Sequence, residues 1–333
     1  MADPNTLRVL SFDGGGTRGI LGATFLKRFV ELWGIAPNEI WKYFDVICGT
    51  SVGGIMAAGV STGLTPDEMI TFLRTQSPWI FSTSSIVPGV RATMLDKLAT
   101  MILGGSFYPN DNLKVVLNDQ FGSDTMESLL TNTLITSYDY DTNTPILFSN
   151  VDFPGSSGQN EFLTHVTLAT SAAPLYLPMA QWPILEEQSS RYLDGAVIKN
   201  NPAIGGIACG KVIKPSASRV CVLSVGTGLG DIGFHSVPGD VPPDESNMSL
   251  IFTLLGITIS GPQEVDAQIL TLLDQYSLDD IFTYRFQAIL DPLQDTDIDN
   301  SDTAYFDYMQ ATANSRFDSD IVKISNFLAH LQA

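Results

Sequence analysis

Histidine and cysteine are scarce in this chain, with three of each among 333 residues. Cys48, Cys209 and Cys221 sit in apolar runs without metal-ligand spacing, and an odd, sparse count argues against a disulfide scaffold and for a reducing compartment. Positive charge is also short: 17 Lys and Arg stand against 36 Asp and Glu, a net charge of −19. Such a balance opposes non-specific binding to nucleic acid or to an anionic membrane. No apolar run reaches the roughly 18–20 residues of a membrane span. The nearest, MSLIFTLLGITISG (248–261), is read as a buried helix or a lipid-facing lid. The N-terminus lacks a basic segment followed by an apolar one, so no signal peptide is read there. The expectation is a cytoplasmic or otherwise intracellular site, with secretion by a route that needs no such peptide left open.

The acid is unevenly placed. From Asp231 onward there are 17 Asp or Glu against 3 Lys or Arg. A solvated acidic face is the expected explanation. Within it, DTDIDNSD (295–302) invites a calcium reading but fails the EF-hand pattern: Asn300 stands where the loop glycine belongs, and Phe306 where the bidentate glutamate belongs.

What is present is strand-turn-helix grammar. LRVLSF (7–12) is short, apolar and bounded by glycine, as a buried strand should be. After the glycines, Ile20, Leu21, Phe25, Leu26, Phe29, Val30 and Trp33 recur at helical spacing. YFDVICGTSVGGIMAAGV repeats the pattern, with a strand to Cys48, a sharp turn and a small-residue helix. RVCVLSVGTG (219–228) is a third strand ending in glycine. Alternating strands and helices predict an α/β fold: a mainly parallel central sheet covered by helices on both faces, in one domain over residues 1–333. Residues 80–130 read as a helical and loop insertion, and 231–247 as a surface loop.

Two glycine-rich turns carry the chemistry. GTSVG (49–53) fits the Gly-x-Ser-x-Gly elbow, which exposes a serine on a tight strand-to-helix turn. Gly49 and Gly53 let the chain pass close to its neighbours, and the helix start favours developing negative charge at Ser51. In SFDGGGTRGI (11–20), Gly14, Gly15 and Gly16 can aim backbone N–H groups at an oxyanion, each donor worth roughly 3–4 kcal/mol. Ser51 needs a base. His165, His235 and His330 lie in no motif-like setting. Asp194, in YLDGAVIKNNP, falls at a strand end in a turn and could take the serine proton directly, although the same residues also describe an ordinary Asp-Gly turn.

Together these pieces resemble the patatin-like phospholipase family. DGGGTRG (13–19) is similar to its oxyanion motif and GTSVG (49–53) to its elbow. ATSAAPLYLP (169–178), DGA (194–196), LSVGTG (223–228) and FTYRFQ (282–287) follow in the family's order. The resemblance implies a three-layer fold and lipid acyl hydrolysis without cofactor or metal. It implies Ser51 as nucleophile, Asp194 as its partner without histidine, and an oxyanion hole from Gly14, Gly15 and Gly16. Arg18 would fix the glycine loop or touch an anionic headgroup. Gly49, Gly53 and Gly195 would support the turns. The implied partners are a phospholipid or lysophospholipid and, transiently, a membrane or micelle surface, with no nucleic acid; an activating ligand or host factor stays open. Apolar side chains of 80–130 and 248–261 would house the acyl chain.

Three rivals follow from the same residues. One is a triad hydrolase in the order Ser51, Asp194, then His235 or His330. A second is an actin-like ATPase or sugar kinase using DGGGT as a phosphate loop, in which a strand hairpin rather than a helix should follow. The third is a non-catalytic lipid-binding relative.

Overall fold

The computed structural model describes residues 5–84, 86–182, 190–230, 263–275 and 280–333. The stretches 231–247 and 248–261, and with them His235, lie outside the described residues. Five strands form the parallel heart of the sheet, in the order β3–β2–β1–β8–β9: β1 (Thr6–Phe12), β2 (Val46–Thr50), β3 (Asn132–Asp139), β8 (Arg219–Val225) and β9 (Asp280–Phe286). β4 (Thr144–Ser149) returns antiparallel to β3 and pairs with the short β5 (Ser156–Ser157). β6 (Ala180–Trp182) and β7 (Ser190–Asp194) form an antiparallel pair, and β7 also runs antiparallel to β3.

Side chains on a strand alternate between its faces, and the two faces are visible here as two apolar layers. Leu10, Phe12, Ile47, Leu223, Val225 and Phe286 pack on one side beneath α1 (Gly19–Trp33), α2 (Val52–Thr62) and α3 (Pro66–Ile80), with α9 (Thr303–Ser319) and α10 (Ile321–Gln332) beside them. Leu7, Val9, Val46, Cys48, Val220 and Val222 pack on the other side against α7 (Ala203–Ile213) and the helical residues 263–275, designated α8. The fold is therefore the expected three-layer α/β arrangement. A third apolar cluster lies under α5 (Asp111–Phe121) and α6 (Leu163–Thr170). The insertion also carries α4 (Met94–Leu103).

Local sequence sets the helix ends. α1 stops at Gly34, whose φ of 74° suits glycine. α3 opens with a reciprocal cap: the Thr65 hydroxyl accepts from the Glu68 N–H, the Glu68 carboxylate accepts from the Thr65 N–H, and Pro66 takes the first helical position.

The acidic last third is not simply a solvated face. Its carboxylates reach back to cations of the earlier chain: Asp266 to Lys199, Asp307 to Arg74 and Asp318 to Arg28. The three free cysteines are buried, and burial pushes the Cys48 thiol up to about 12 and Cys209 to about 11. They are packing residues. Among the described residues no helix is long and apolar enough to cross a membrane.

Candidate active site

The ends of β1, β2, β8 and β9 meet at one edge of the sheet, where ligand crevices of open α/β sheets lie. Ser51 follows the last residue of β2 and precedes α2. Its φ is 57° and ψ −130°, a conformation rare for a residue with a side chain and costing of order 1–3 kcal/mol. The Ser51 N–H donates to Thr170 Oγ1 at 2.8 Å, which ties the strained turn to α6. A Cβ on Gly49 would collide with the backbone of Gly53, and one on Gly53 with the carbonyls of Phe12 and Asp13. The two glycines thus let the elbow close on itself and α2 press against the end of β1.

Asp194 ends β7. It is 1% exposed, its carboxyl accepts from the Ala196 N–H at 2.8 Å, and it lines the same cavity as Ser51. Burial pushes its pKa up to about 7, and the nearby Ser51 hydroxyl and Ala196 N–H only partly oppose that. Its own N–H donates to Ala172 O at 3.0 Å, so the SAAP segment holds the aspartate in place. A Cβ on Gly195 would strike Thr136.

The glycine loop leaves β1 through Asp13, which is fully buried and paired with Arg285 Nη1 at 2.9 Å. Burial raises Asp13 to about 6 against the pull of that guanidinium. The late FTYRFQ stretch thereby anchors the loop: Arg285 also donates to Ser224 Oγ, and Gln287 Oε1 accepts from the Gly228 N–H. Beyond Asp13 the three glycines of the expected oxyanion hole differ in their bonding. The Gly14 N–H already donates to Asn200, at 2.9 Å to Oδ1 and 3.2 Å to the backbone oxygen. Gly15 and Gly16 have no acceptor for their N–H groups among the described residues, and both line the same cavity as Ser51 and Asp194. Gly16 holds φ 56°, and a Cβ there would run into the Ile298 carbonyl.

Arg18 is 3% exposed. Its Nε donates to Thr296 O at 2.7 Å, and the Thr17 N–H donates to Ile298 O at 2.9 Å. Arg18 and its neighbour Thr17 thus fix the loop against residues 296–298.

The cavity is open to solvent at its mouth, and its non-atom space, counting that mouth, is about 760 Å³. Its walls are almost wholly apolar. Ile80, Phe81 and Leu113 come from the 80–130 insertion, as expected in part. Phe72, Leu73 and Ser77 of α3 were not anticipated, because helical apolar spacing does not separate a core wall from a ligand wall. Asn200 and Thr170 were also missed as anchors; the sequence marks them only as part of NNPA and of the segment before SAAP.

The rival readings meet specific obstacles. His330 stacks on Phe282 at 4.0 Å and lies 3.0 Å from Arg219, near the starts of β9 and β8, whereas Ser51 follows the end of the parallel β2. His165 bonds Glu161 at 2.7 Å and stacks on Trp182. A helix, not a second hairpin strand, follows DGGGT. In the aspartate-rich stretch, Asp299 is held by Arg91, by Lys97 at 2.9 Å and by the Tyr108 hydroxyl at 2.7 Å.

Comparison with known proteins points to one family. A family model described as patatin-like phospholipase matches residues 10–206. Patatin-like protein 2 of Oryza sativa subsp. indica is 30% identical over 212 residues, covering 59% of this chain and 51% of the relative. The cGAMP-activated phospholipase of Pseudomonas aeruginosa (strain BWHPSA011 / Pa011) is 29% identical over 225 residues, covering 67% and 62%. The chain thus spans about half to three-fifths of these relatives' lengths. The solved structure of human GIVD cytosolic phospholipase A2 shares the fold, with a TM-score of 0.50 at 11% identity over 99% of this chain and 61% of that one.

Proposed function

The chain belongs to the patatin-like phospholipase family, and we propose that it is a lipid acyl hydrolase that cleaves fatty-acyl esters of phospholipids or lysophospholipids with a Ser51–Asp194 dyad. The observation that carries this reading is the strained Ser51 and the buried Asp194 lining one apolar cavity.

Asp194 takes the Ser51 proton as the serine oxygen attacks the ester carbonyl carbon. A carboxylate raised to about 7 is a stronger base than an exposed one and still ionised in part at neutral pH. Charge develops on the carbonyl oxygen, where the Gly15 and Gly16 N–H groups and the start of α2 stabilise it. The tetrahedral intermediate collapses, and protonated Asp194 returns its proton to the departing alcohol oxygen. A water molecule then attacks the acyl-serine, again losing a proton to Asp194. The fatty acid leaves and Ser51 regains its proton. Each proton transfer and the oxyanion have a protein group assigned, so the scheme calls on no metal or cofactor. Substrate would be met at a membrane or micelle surface, where the apolar cavity takes one acyl chain.

The test is fatty-acid release from mixed phospholipid vesicles in the presence of a chelator. Wild type should release fatty acid, while Ser51→Ala and Asp194→Asn, folded by circular dichroism, should not. Release retained by either variant would sink the dyad.

A further inference from the structure

Beside the active-site cavity lies a second, smaller apolar space that shares part of its wall. It reaches Leu64, Met69 and Phe121 and ends at the half-buried Gln120. Four side chains belong to both walls: Val52, Ile55, Phe72 and Leu73. The two spaces are neighbours separated by one layer of side chains.

These four are not equivalent as a partition. Val52 and Ile55 ride on the elbow helix immediately after Ser51. Leu73 is 4% exposed and belongs to the core beneath α1. Phe72 is half-buried and packs against both the α1-side cluster and the cluster under α5 and α6. No other half-buried side chain among the described residues joins those two clusters. Its ring sits on the seam between the two clusters, at the boundary of both spaces.

We propose that Phe72 sets the length of acyl chain the enzyme accepts, by closing the active-site cavity against the second space. The inference rests on the reading that the first cavity takes a fatty-acyl chain. With the ring in place a chain threaded from Ser51 ends against Phe72. Without it the chain gains a further apolar space lined by methionine and leucine, side chains that adapt to an added occupant. Extra methylenes seated in such a pocket are discriminated by roughly tenfold or more.

The experiment measures binding and hydrolysis separately. Fatty acids graded from octanoate to stearate displace a fluorescent fatty acid from Ser51→Ala protein carrying wild-type Phe72, Phe72→Ala, Phe72→Leu or Phe72→Trp. The same Phe72 substitutions in the active protein are assayed on 4-nitrophenyl esters of the same lengths. Phe72→Ala should raise the preference for the longest chains over the shortest by about tenfold, Phe72→Leu should raise it less, and Phe72→Trp should lower it. Identical length profiles in wild type, the Leu variant and the Trp variant would overturn the proposal even if the Ala variant failed to fold. A shifted binding profile with no ester cleavage by wild type would keep the partition and overturn the hydrolase reading. Failure of every fatty acid to displace the probe would overturn both.

Discussion

Ser51 and Asp194 meet because two strands run toward each other along the same edge of β3. Thr50, the last residue of β2, pairs with Thr136, and Asp194, the last residue of β7, pairs with the next residue, Ser137. β2 arrives parallel to β3 and β7 antiparallel, so both chains terminate at one point. The Thr50 and Thr136 hydroxyls bond at 2.7 Å across that junction, and Thr50 Oγ1 lies 2.8 Å from Lys199 O. The proposed nucleophile and base are thus fixed by sheet register, 143 residues apart in sequence but adjacent on one strand.

The raised pKa of Asp194 makes two linked predictions. The base must be ionised, so kcat/KM should fall as pH drops through about 7. For stability the sign is opposite. A carboxyl raised in the folded state binds its proton more tightly there than in the unfolded chain, so folding weakens as pH rises from about 4 to about 7. Asp194→Asn should therefore be inactive yet more heat-stable than wild type at pH 8, by on the order of a few kcal/mol. The two proteins should converge in acid. Thermal melts at pH 4 and pH 8 check this, and equal differences at both values would refute it.

That pH limb falls where a histidine base would place it, so the profile alone does not separate a dyad from a triad. Without burial it would have, since an unshifted carboxylate titrates near pH 4. The separation comes from substitution. His235→Ala and His330→Ala should keep wild-type rates of fatty-acid release, while Asp194→Asn abolishes them. Loss of activity in a folded His235→Ala protein would reinstate the triad.

The proposed pair stood out in the sequence, with the family resemblance, because each member sits in a turn whose residue types are demanded by backbone geometry. Gly49 and Gly53 announce the elbow, and the glycine after Asp194 announces the turn beside Thr136. The strands were legible as short apolar runs ending in glycine; that Leu7 and Val9 face one layer and Leu10 and Phe12 the other emerges only in the fold. What was hidden depended on partners distant in sequence. Nothing local says that Asn200 takes up the Gly14 N–H, that Arg285 pairs with Asp13, or that the acidic tail answers Arg28, Arg74 and Lys199. The shift of Asp194 was hidden for the same reason, because burial is a property of the assembled fold.

Asn200 offers a test of the proposed oxyanion hole. It accepts from the Gly14 N–H through both its side chain and its backbone, so Asn200→Ala removes one of two tethers. The Gly15 and Gly16 donors should then lose their fixed aim. The expected result is a fall in kcat of up to about 100-fold, with KM nearly unchanged. A rise in KM at constant kcat would instead make Asn200 a substrate contact. Gly16→Ala should be more damaging, since it combines a positive φ with the collision against Ile298 O.

The aspartate-rich stretch joins the insertion to the glycine loop. Arg91 Nε lies 3.0 Å from Asp299 Oδ1 and Lys97 Nζ 2.9 Å from Oδ2, with Tyr108 donating to the same carboxylate. On either side of it, Thr296 O holds Arg18 and Ile298 O holds the Thr17 N–H. Burial works against the Asp299 charge, but Lys97 and Arg91 keep its pKa below the usual carboxylate range. Its stabilising contribution is therefore present at neutral pH and lost as pH falls through that lowered value. Asp299→Asn removes the fully buried charge that Arg91 and Lys97 share but leaves them Asp295 and Asp297, so it should destabilise by less than the about 3–5 kcal/mol of a buried charge left without a partner. Asp295, whose side chain is 57% exposed, is the control: Asp295→Asn should change stability by less than about 0.5 kcal/mol. Because the clamp backs the glycine loop, Asp299→Asn should also lower kcat at temperatures where the protein remains folded. Denaturant melts with parallel kinetics test both effects. A large loss of stability with unchanged kcat would reduce the clamp to a fold staple with no hold on the oxyanion donors.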